Sequence, residues 1–335
     1  MKNIKKIGLT ALAASLVSTS VFAGEMSVTG SAGINWENYS TGDLGVNDTS
    51  GASHSTKSFS MGNQLTFSGS GELDNGMTVA LSFVLDQNDD STAAGAAYSG
   101  GPFDGHSVTV SSDTMGSLVY YGEGGDSAQN AVGDTAAGNI WDLFDARNGA
   151  NSKLKESNGG TNFTYTLPSM VDGLAVAASY QPAGASDESD TAYSLTYTGV
   201  EGLSVSYGHG SSDGQAKGSS VVNSDTTSMK ASYAMGSFTV AYSNHEYDSV
   251  TNTLDQDASA WKVSYTVSDA ISISYAQETI EKPSSTDAEY TRLTASHTSG
   301  GMTISGTLAD MDNGTHSTAV AGDDEYAALS VSFAF

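Results

Sequence analysis

The sequence contains no cysteine among its 335 residues, so no disulfide bond can hold the fold together. Beyond its N-terminal segment it also has no run of about 18 apolar residues, and we therefore expect no transmembrane helix. Basic residues are scarce, because 12 Lys and Arg stand against 38 Asp and Glu and give a net charge of −26. A chain this polar needs extensive hydrogen bonding to keep a defined shape.

Large aliphatic residues are also few, and a low aliphatic content with a high net charge is typical of disordered chains. Composition, however, ignores where the apolar residues lie. In this sequence they recur at alternate positions, so the order of the residues is the better guide to the fold class.

Residues 1–23 have the three parts of a secretory signal peptide. Lys2, Lys5 and Lys6 give a basic start, a short apolar stretch spans 7–17, and Ala23 ends a small-residue cleavage site. The alternative, a membrane anchor, lacks a stop-transfer sequence, so we expect export with cleavage near Ala23. Cleavage removes three Lys, which leaves 9 basic against 38 acidic residues and a mature charge of −29.

The rest of the chain returns to short runs in which apolar and polar residues alternate, as in a β-strand with one apolar face. The longest run carries Met77, Val79, Leu81, Phe83 and Leu85 at every second position. About sixteen such runs can be counted. Tight turns rich in Gly, Asn and Asp alternate with long polar loops, as in a transmembrane barrel whose two ends face different media.

A soluble β-sandwich would alternate in the same way, but the polar positions here are mainly Ser, Thr, Gly and Asn. Few Lys or Arg are present to protect exposed strand edges. In hydrocarbon every backbone polar group must be paired internally, which a closed barrel achieves. We therefore predict an all-β fold over residues 24–335, a closed antiparallel transmembrane β-barrel of about 16 strands. Many of its 16 Tyr end the apolar stripes, as interfacial aromatics do.

One segment, residues 122–160, breaks the alternation and is rich in Gly, Ala, Asn and Asp. Loops this long in a compact domain are usually functional. It follows the fifth predicted strand, and we expect it to lie inside the wall formed by the strands. Its apolar residues Trp141, Leu143 and Phe144 either pin it to that wall or form a short helical turn packed beneath it.

The C-terminus is an alternating strand with an aromatic last residue, and its apolar positions are Leu329, Val331, Phe333 and Phe335. With this ending and the barrel pattern, the chain resembles the general bacterial outer-membrane porins, of the 16-stranded, trimeric, alphaproteobacterial-like kind. The resemblance implies that these four residues form the signal read by the outer-membrane insertion machinery.

The resemblance also implies that the third long loop, residues 122–160, folds into the lumen and constricts it, with acidic residues that face basic residues across the pore. The charged candidates on the loop are Asp126, Asp134, Asp142, Asp145 and Arg147. Alternation predicts inward positions for four charged wall residues, Lys230, Lys262, Arg292 and Glu37. Many family members carry the basic residues on earlier strands, and this chain departs from that pattern.

The resemblance implies a water-filled channel for passive diffusion of ions and small hydrophilic solutes, formed by a homotrimer among the lipids of a Gram-negative outer membrane. The acidic excess predicts a weak preference for cations. Two alternatives are a non-conducting barrel that acts as a surface adhesin or structural protein, and a barrel enzyme. The six His form no catalytic motif, so we expect no catalytic residues and no nucleic-acid partner.

No cofactor or metal site is expected. The acidic clusters at 86–90 and 323–325 have the oxygen ligands that Ca²⁺ prefers, but solvated loops are the simpler interpretation.

Overall fold

The computed structural model of the protein describes residues 26–40, 57–86, 104–144, 160–183, 189–213, 223–316 and 322–335. The predicted signal peptide, residues 1–23, lies outside these ranges. The strands are β1 (Ser27–Tyr39), β2 (Lys57–Glu72), β3 (Thr78–Asp86), β4 (Gly105–Ser112), β5 (Gly116–Gly125), β6 (Gly160–Thr166), β7 (Leu174–Gln181), β8 (Asp190–Tyr197), β9 (Leu203–Ser212), β10 (Ser224–Met235), β11 (Phe238–Ser249), β12 (Gln256–Ser268), β13 (Ile271–Glu281), β14 (Ala288–Ser299), β15 (Met302–Asp312) and β16 (Asp324–Ala334).

Each strand pairs with its sequence neighbours in antiparallel register, and β16 returns to pair with β1. Closure is completed at the chain end, where Gly30 N donates to Phe335 O at 2.7 Å and Phe335 N donates to Gly30 O at 2.9 Å. A closed sheet leaves no edge strand with unpaired backbone groups. The prediction of a closed antiparallel barrel of sixteen strands is confirmed.

The turn between β2 and β3 shows how the local sequence sets the pairing. Gly76 has a φ of 79°, a backbone conformation that glycine adopts without steric cost. The side-chain Oδ1 of Asn75 accepts a hydrogen bond from Met77 N at 3.1 Å. The tight turn therefore places Phe67 of β2 opposite Phe83 of β3.

The two faces of the wall have opposite chemistry. On β10, Met229 is 55% exposed, whereas its neighbour Ser228 is fully buried at 0%. Large apolar side chains are exposed along the outward face of nearly every strand, and aromatic pairs such as Phe238 with Tyr265 lie there with ring centroids 4.7 Å apart. Exposed apolar area on this scale marks a surface that contacts lipid or another protein.

Buried apolar side chains gather on the inward face of one arc of the wall, against a short 3₁₀ helix (Ile140–Phe144). This cluster consists of Ala136, Ala137, Ile140, Trp141, Phe144, Tyr247, Ala258, Ala260, Ala276, Ile280, Ala288, Tyr290, Ala309, Met311 and Tyr326. The packed core thus lies between the wall and the segment that follows β5. In the part of the chain that is described, no helix has both the length and the apolarity needed to cross a membrane.

We predict that Gly30→Val weakens barrel closure. A Cβ at residue 30 would lie 2.5 Å from Cε2 of Phe335 and 2.9 Å from Cδ2 of Leu65. The Phe335 ring would therefore have to move away from residue 30. Overpacking of this kind costs about 1 kcal/mol or more. Refolding into lipid vesicles under increasing urea, followed by the gel-mobility shift between folded and heated protein, should show a lower midpoint.

The matched control is Gly62→Val, because a Cβ at residue 62 has no atom within 4 Å in the described structure. Equal urea midpoints for the two variants would show that the packing of Phe335 over Gly30 does not contribute to closure of the barrel.

Candidate functional site

The segment after β5 packs against the inward face of the wall. Its described part, residues 126–144, donates or accepts hydrogen bonds with side chains of β1, β7, β10, β11, β13 and β14. All of these side chains alternate with the exposed apolar residues of their strands. Asp145 and Arg147 lie outside the described residues, so their predicted positions stay predictions.

Glu278 of β13 anchors this segment through two hydrogen bonds to one of its carboxyl oxygens. Its Oε2 accepts a hydrogen bond from Thr135 Oγ1 at 3.1 Å and another from Ile140 N at 2.8 Å. The side chain is fully buried at 0% exposure, and both bonds are charge-assisted when the carboxyl is ionised. Removal of this acceptor would leave two buried donors on the loop without their partner.

The other oxygen of Glu278, Oε1, accepts no hydrogen bond from the described residues. The positive charge of Arg292 stabilises the ionised form of this carboxyl, and the negative charge of Asp134 destabilises it. When this buried carboxyl is ionised, it depends on the few partners it has, because its hydration is lost.

Two of the predicted basic residues contact the loop directly. Lys230 Nζ donates to the backbone O of Asp134 at 2.9 Å, and Arg292 donates to the backbone O of Gly138 at 3.4 Å and to that of Ala137. The expectation that they face the loop from across the lumen is therefore wrong. The physical reason is that an irregular segment has unpaired carbonyls, which the donors of the adjacent wall satisfy.

Hydroxyls of the wall pair with the backbone and side chains of the loop. Ser179 Oγ accepts from Ala128 N at 2.8 Å, and Ser243 Oγ accepts from Ala136 N at 2.7 Å. Ser228 Oγ accepts from Gln129 Nε2 and lies 2.9 Å from His245 Nδ1. These short side chains keep the loop close to the strands while they satisfy its polar groups.

Part of the wall beneath the loop is built of small residues, which allow a close approach there. Ala258, Ala260, Ala276 and Ala309 are each at most 2% exposed and belong to the buried cluster. On β9 a Cβ at Gly208 would lie 3.2 Å from Cα of Gln129, so a larger residue there would push against the loop backbone. The inward positions of this arc are therefore shaped to receive residues 126–144.

The far end of the described loop is pinned by aromatic packing. The Phe144 ring lies 6.4, 6.1 and 6.2 Å from the rings of Tyr39, Tyr290 and Tyr326. Tyr39 also donates its hydroxyl to the backbone O of Leu143 at 2.9 Å. The two roles considered for Trp141, Leu143 and Phe144 therefore coexist, since a short helical turn is itself the element pinned to the wall.

The structure brings Asp134, Lys230, Lys262 and Arg292 together. Lys262 lies beside Lys230 beneath the loop, and Arg292 is the charged neighbour that acts on it. Asp134 Oδ1 accepts from Asn139 Nδ2 at 2.7 Å within the loop. Asp142 is exposed in the 3₁₀ helix.

The remaining candidates lie elsewhere. Glu37 Oε2 accepts from Asn35 Nδ2 at 3.3 Å and from the Tyr326 hydroxyl at 3.4 Å on the β1–β16 side. Asp126 lies at the start of the loop, where its backbone O is 3.5 Å from Thr164 Oγ1.

Glu278 was missed in the sequence, although an acidic residue at an inward position in the second half of a strand is a visible signal.

The acidic cluster at 323–325 is engaged in hydrogen bonds within the protein. Asp323 Oδ1 accepts from Asn313 N at 2.9 Å, and Asp324 Oδ1 accepts from Ser40 Oγ at 3.1 Å. Among the residues that the structure describes, no group of three or more His, Cys, Asp or Glu is arranged to hold a metal ion. Residues 87–90 of the other cluster lie outside the described residues.

A family model described as Gram-negative porin matches residues 8–333 of this chain. The chain belongs to the Gram-negative porin family. This is a family of channels rather than of enzymes, and the resemblance stated from the sequence is confirmed. The porin is an outer-membrane channel through which small solutes diffuse, and it lies in the outer membrane of a Gram-negative bacterium.

Solved porin structures share the fold of this porin at low sequence identity. The anion-selective porin from Comamonas acidovorans is 14% identical with a TM-score of 0.66, and the alignment covers 93% of this chain and 100% of that one. A substituted form of the Rh. blastica porin is 15% identical with a TM-score of 0.63 at the same coverages, 93% and 100%. Another porin structure is 18% identical with a TM-score of 0.62, again over 93% and 100%. A comparison with curated protein sequences finds no match.

We predict that Glu278→Ala loosens the loop inside the porin. The donors of Thr135 and Ile140 lose their shared acceptor, and buried donors left unpaired cost about 1–3 kcal/mol. Single-channel recordings in planar bilayers should show larger current fluctuations and a changed conductance.

The matched control is Glu281→Ala, which removes an exposed carboxylate from the same strand. Recordings of Glu278→Ala that match both the wild type and this control would rule out the anchoring role of Glu278.

Proposed function

We propose that residues 126–144 constrict the lumen of this porin, and that ions and small hydrophilic solutes diffuse passively through the water beside them with a weak preference for cations. The observation that carries this proposal is the packing of the loop on one arc of the inward face, from Ser179 of β7 to Tyr39 of β1. The remaining arc of the barrel is then left for solutes.

The inward face of that remaining arc carries mainly polar side chains, including two carboxylates, those of Glu72 on β2 and Asp86 on β3. Across β2 to β5 the inward positions include Thr66, Ser82, Thr109 and Ser117, whose hydroxyls can replace part of the hydration shell of a solute. Hydroxyl groups alone do not distinguish strongly between solutes. We therefore propose that the width of the lumen at the loop and the fixed charges around the loop determine which solutes pass.

The cation preference is proposed from the balance of charge. The chain carries 38 acidic against 12 basic residues, and a field of one sign raises the local concentration of ions of the opposite sign. The charges of Lys230 and Arg292 moderate this field, and both donate to carbonyls of the loop rather than projecting freely. The Comamonas porin is described as anion-selective, but at 14% identity its selectivity does not transfer to this chain.

We further propose that the porin assembles as a homotrimer and has neither catalytic activity nor a cofactor. Leu329, Val331, Phe333 and Phe335 are the proposed signal for the insertion machinery. The proposed signal is supported by the exposure of three of these residues on the lipid side of the barrel. Leu329, Phe333 and Phe335 are 51%, 43% and 72% exposed.

We predict that the reversal potential of the reconstituted channel in a salt gradient is set by the cation. Asp142→Asn should reduce this preference, because it removes an exposed carboxylate from the loop. Asp269→Asn serves as the control, since it removes an exposed carboxylate from the tight turn between β12 and β13, away from the loop. The effect should shrink at high salt, because screening shortens the reach of fixed charges to roughly 3 Å at 1 M. Anion selectivity of the wild type would refute the charge argument.

A further inference from the structure

A recess of about 270 Å³ opens beneath the loop, on the side of the tight turns. Thr135 and Ala136 of the loop form its roof, and inward-facing residues of β9 to β12 form its floor and sides. Its lower part reaches Ser232 of β10 and Thr239 of β11, which flank the turn between those strands. A solute that has passed the loop from the long-loop end therefore meets this recess next.

Two lysines give the recess its charge. Lys230 of β10 and Lys262 of β12 both line it, and no carboxylate is among the described residues that do so. Lys230 uses one of its donors for the backbone O of Asp134, and an ammonium has three. The charged neighbour that acts on Lys262 is Arg292, which has the same sign.

Asp134 partly offsets the charge of Lys230, because its carboxylate is close enough to act on it. That carboxylate is itself bonded to the side chain of Asn139 within the loop, at 2.7 Å. Lys262 is therefore the lysine whose charge is least compensated inside the recess.

Hydroxyl groups complete the lining. They belong to Ser204, Ser206, Ser232, Thr239 and Ser264, which alternate with outward apolar residues on four neighbouring strands. A hydroxyl can rotate to donate a hydrogen bond, so this surface can offer donors to several oxygens of one anion while the lysines supply the charge. A halide ion, with one centre and no geometry, would use few of these donors.

We propose that this recess is a binding subsite for small oxyanions, either free phosphate or the phosphate or carboxylate group of a passing solute. The inference rests on the proposed diffusion channel and deepens it. The acidic exterior favours cations at the mouth, whereas the recess retains an oxyanion group for a short time inside. Lys262 supplies the charge, Lys230 a second ammonium, and the serine and threonine hydroxyls the donors.

The test is a titration of inorganic phosphate against the single-channel current of the whole protein in potassium chloride, in planar bilayers at constant ionic strength. The wild type should show a saturable reduction of the current. Lys262→Gln should raise the half-inhibiting phosphate concentration by at least about tenfold, since one charge-assisted contact is lost. Acetate in a parallel titration separates a general oxyanion site, inhibited by both, from one restricted to phosphate.

Lys282→Gln is the matched control, because it removes the same charge from the connection between β13 and β14, outside the recess. It should titrate like the wild type. A gel-mobility shift confirms that each variant is folded, and Ser264→Ala provides a milder second variant with a smaller shift in the same direction.

The outcomes separate this inference from the proposed function. A wild type that carries no current contradicts the channel, and calorimetry of phosphate with the detergent-solubilised protein then still decides whether the recess binds it. A conducting wild type without saturable inhibition, or a folded Lys262→Gln that titrates like the wild type, overturns the recess as an oxyanion site.

Discussion

The need to pair every backbone N–H and C=O away from water is the constraint on which this porin depends. Sixteen strands meet it because β16 returns to pair with β1, a ladder that ends in two backbone hydrogen bonds between Gly30 and Phe335. The absence of a side chain at Gly30 lets the Phe335 ring lie over it and against Leu65. The chain can therefore be acidic and poor in large aliphatic residues, because its shape comes from the ladder of backbone pairs.

The same constraint applies again to the segment that packs on the inward face. Residues 126–144 have little regular structure of their own. Side chains of the wall therefore form hydrogen bonds with their backbone N–H and C=O groups. Glu278 and the serines accept from the loop, and Lys230 and Arg292 donate to it. The charged residues nearest the loop thus contribute to the support of its backbone as well as to the field around it.

The alternation of apolar and polar residues predicted the barrel well, but it predicted the site only in part. Alternation gave the strand number and placed Lys230, Lys262 and Arg292 on the inward face of β10, β12 and β14. It could not give the distance from a wall residue to the loop, because that depends on where the loop settles across many strands. For this reason Glu278 was missed, and Lys230 and Arg292 were expected to face a loop that they in fact contact.

The alanines beneath the loop fix the distance between residues 126–144 and the wall behind them. Ala258, Ala260, Ala276 and Ala309 are buried, so no solute touches them, yet the thickness of their layer fixes how far the loop stands from its own arc. An added methylene there would displace the loop toward the opposite arc, since a packed interior transmits volume changes. With the proposed constriction, the width of the channel depends partly on buried residues that no solute contacts.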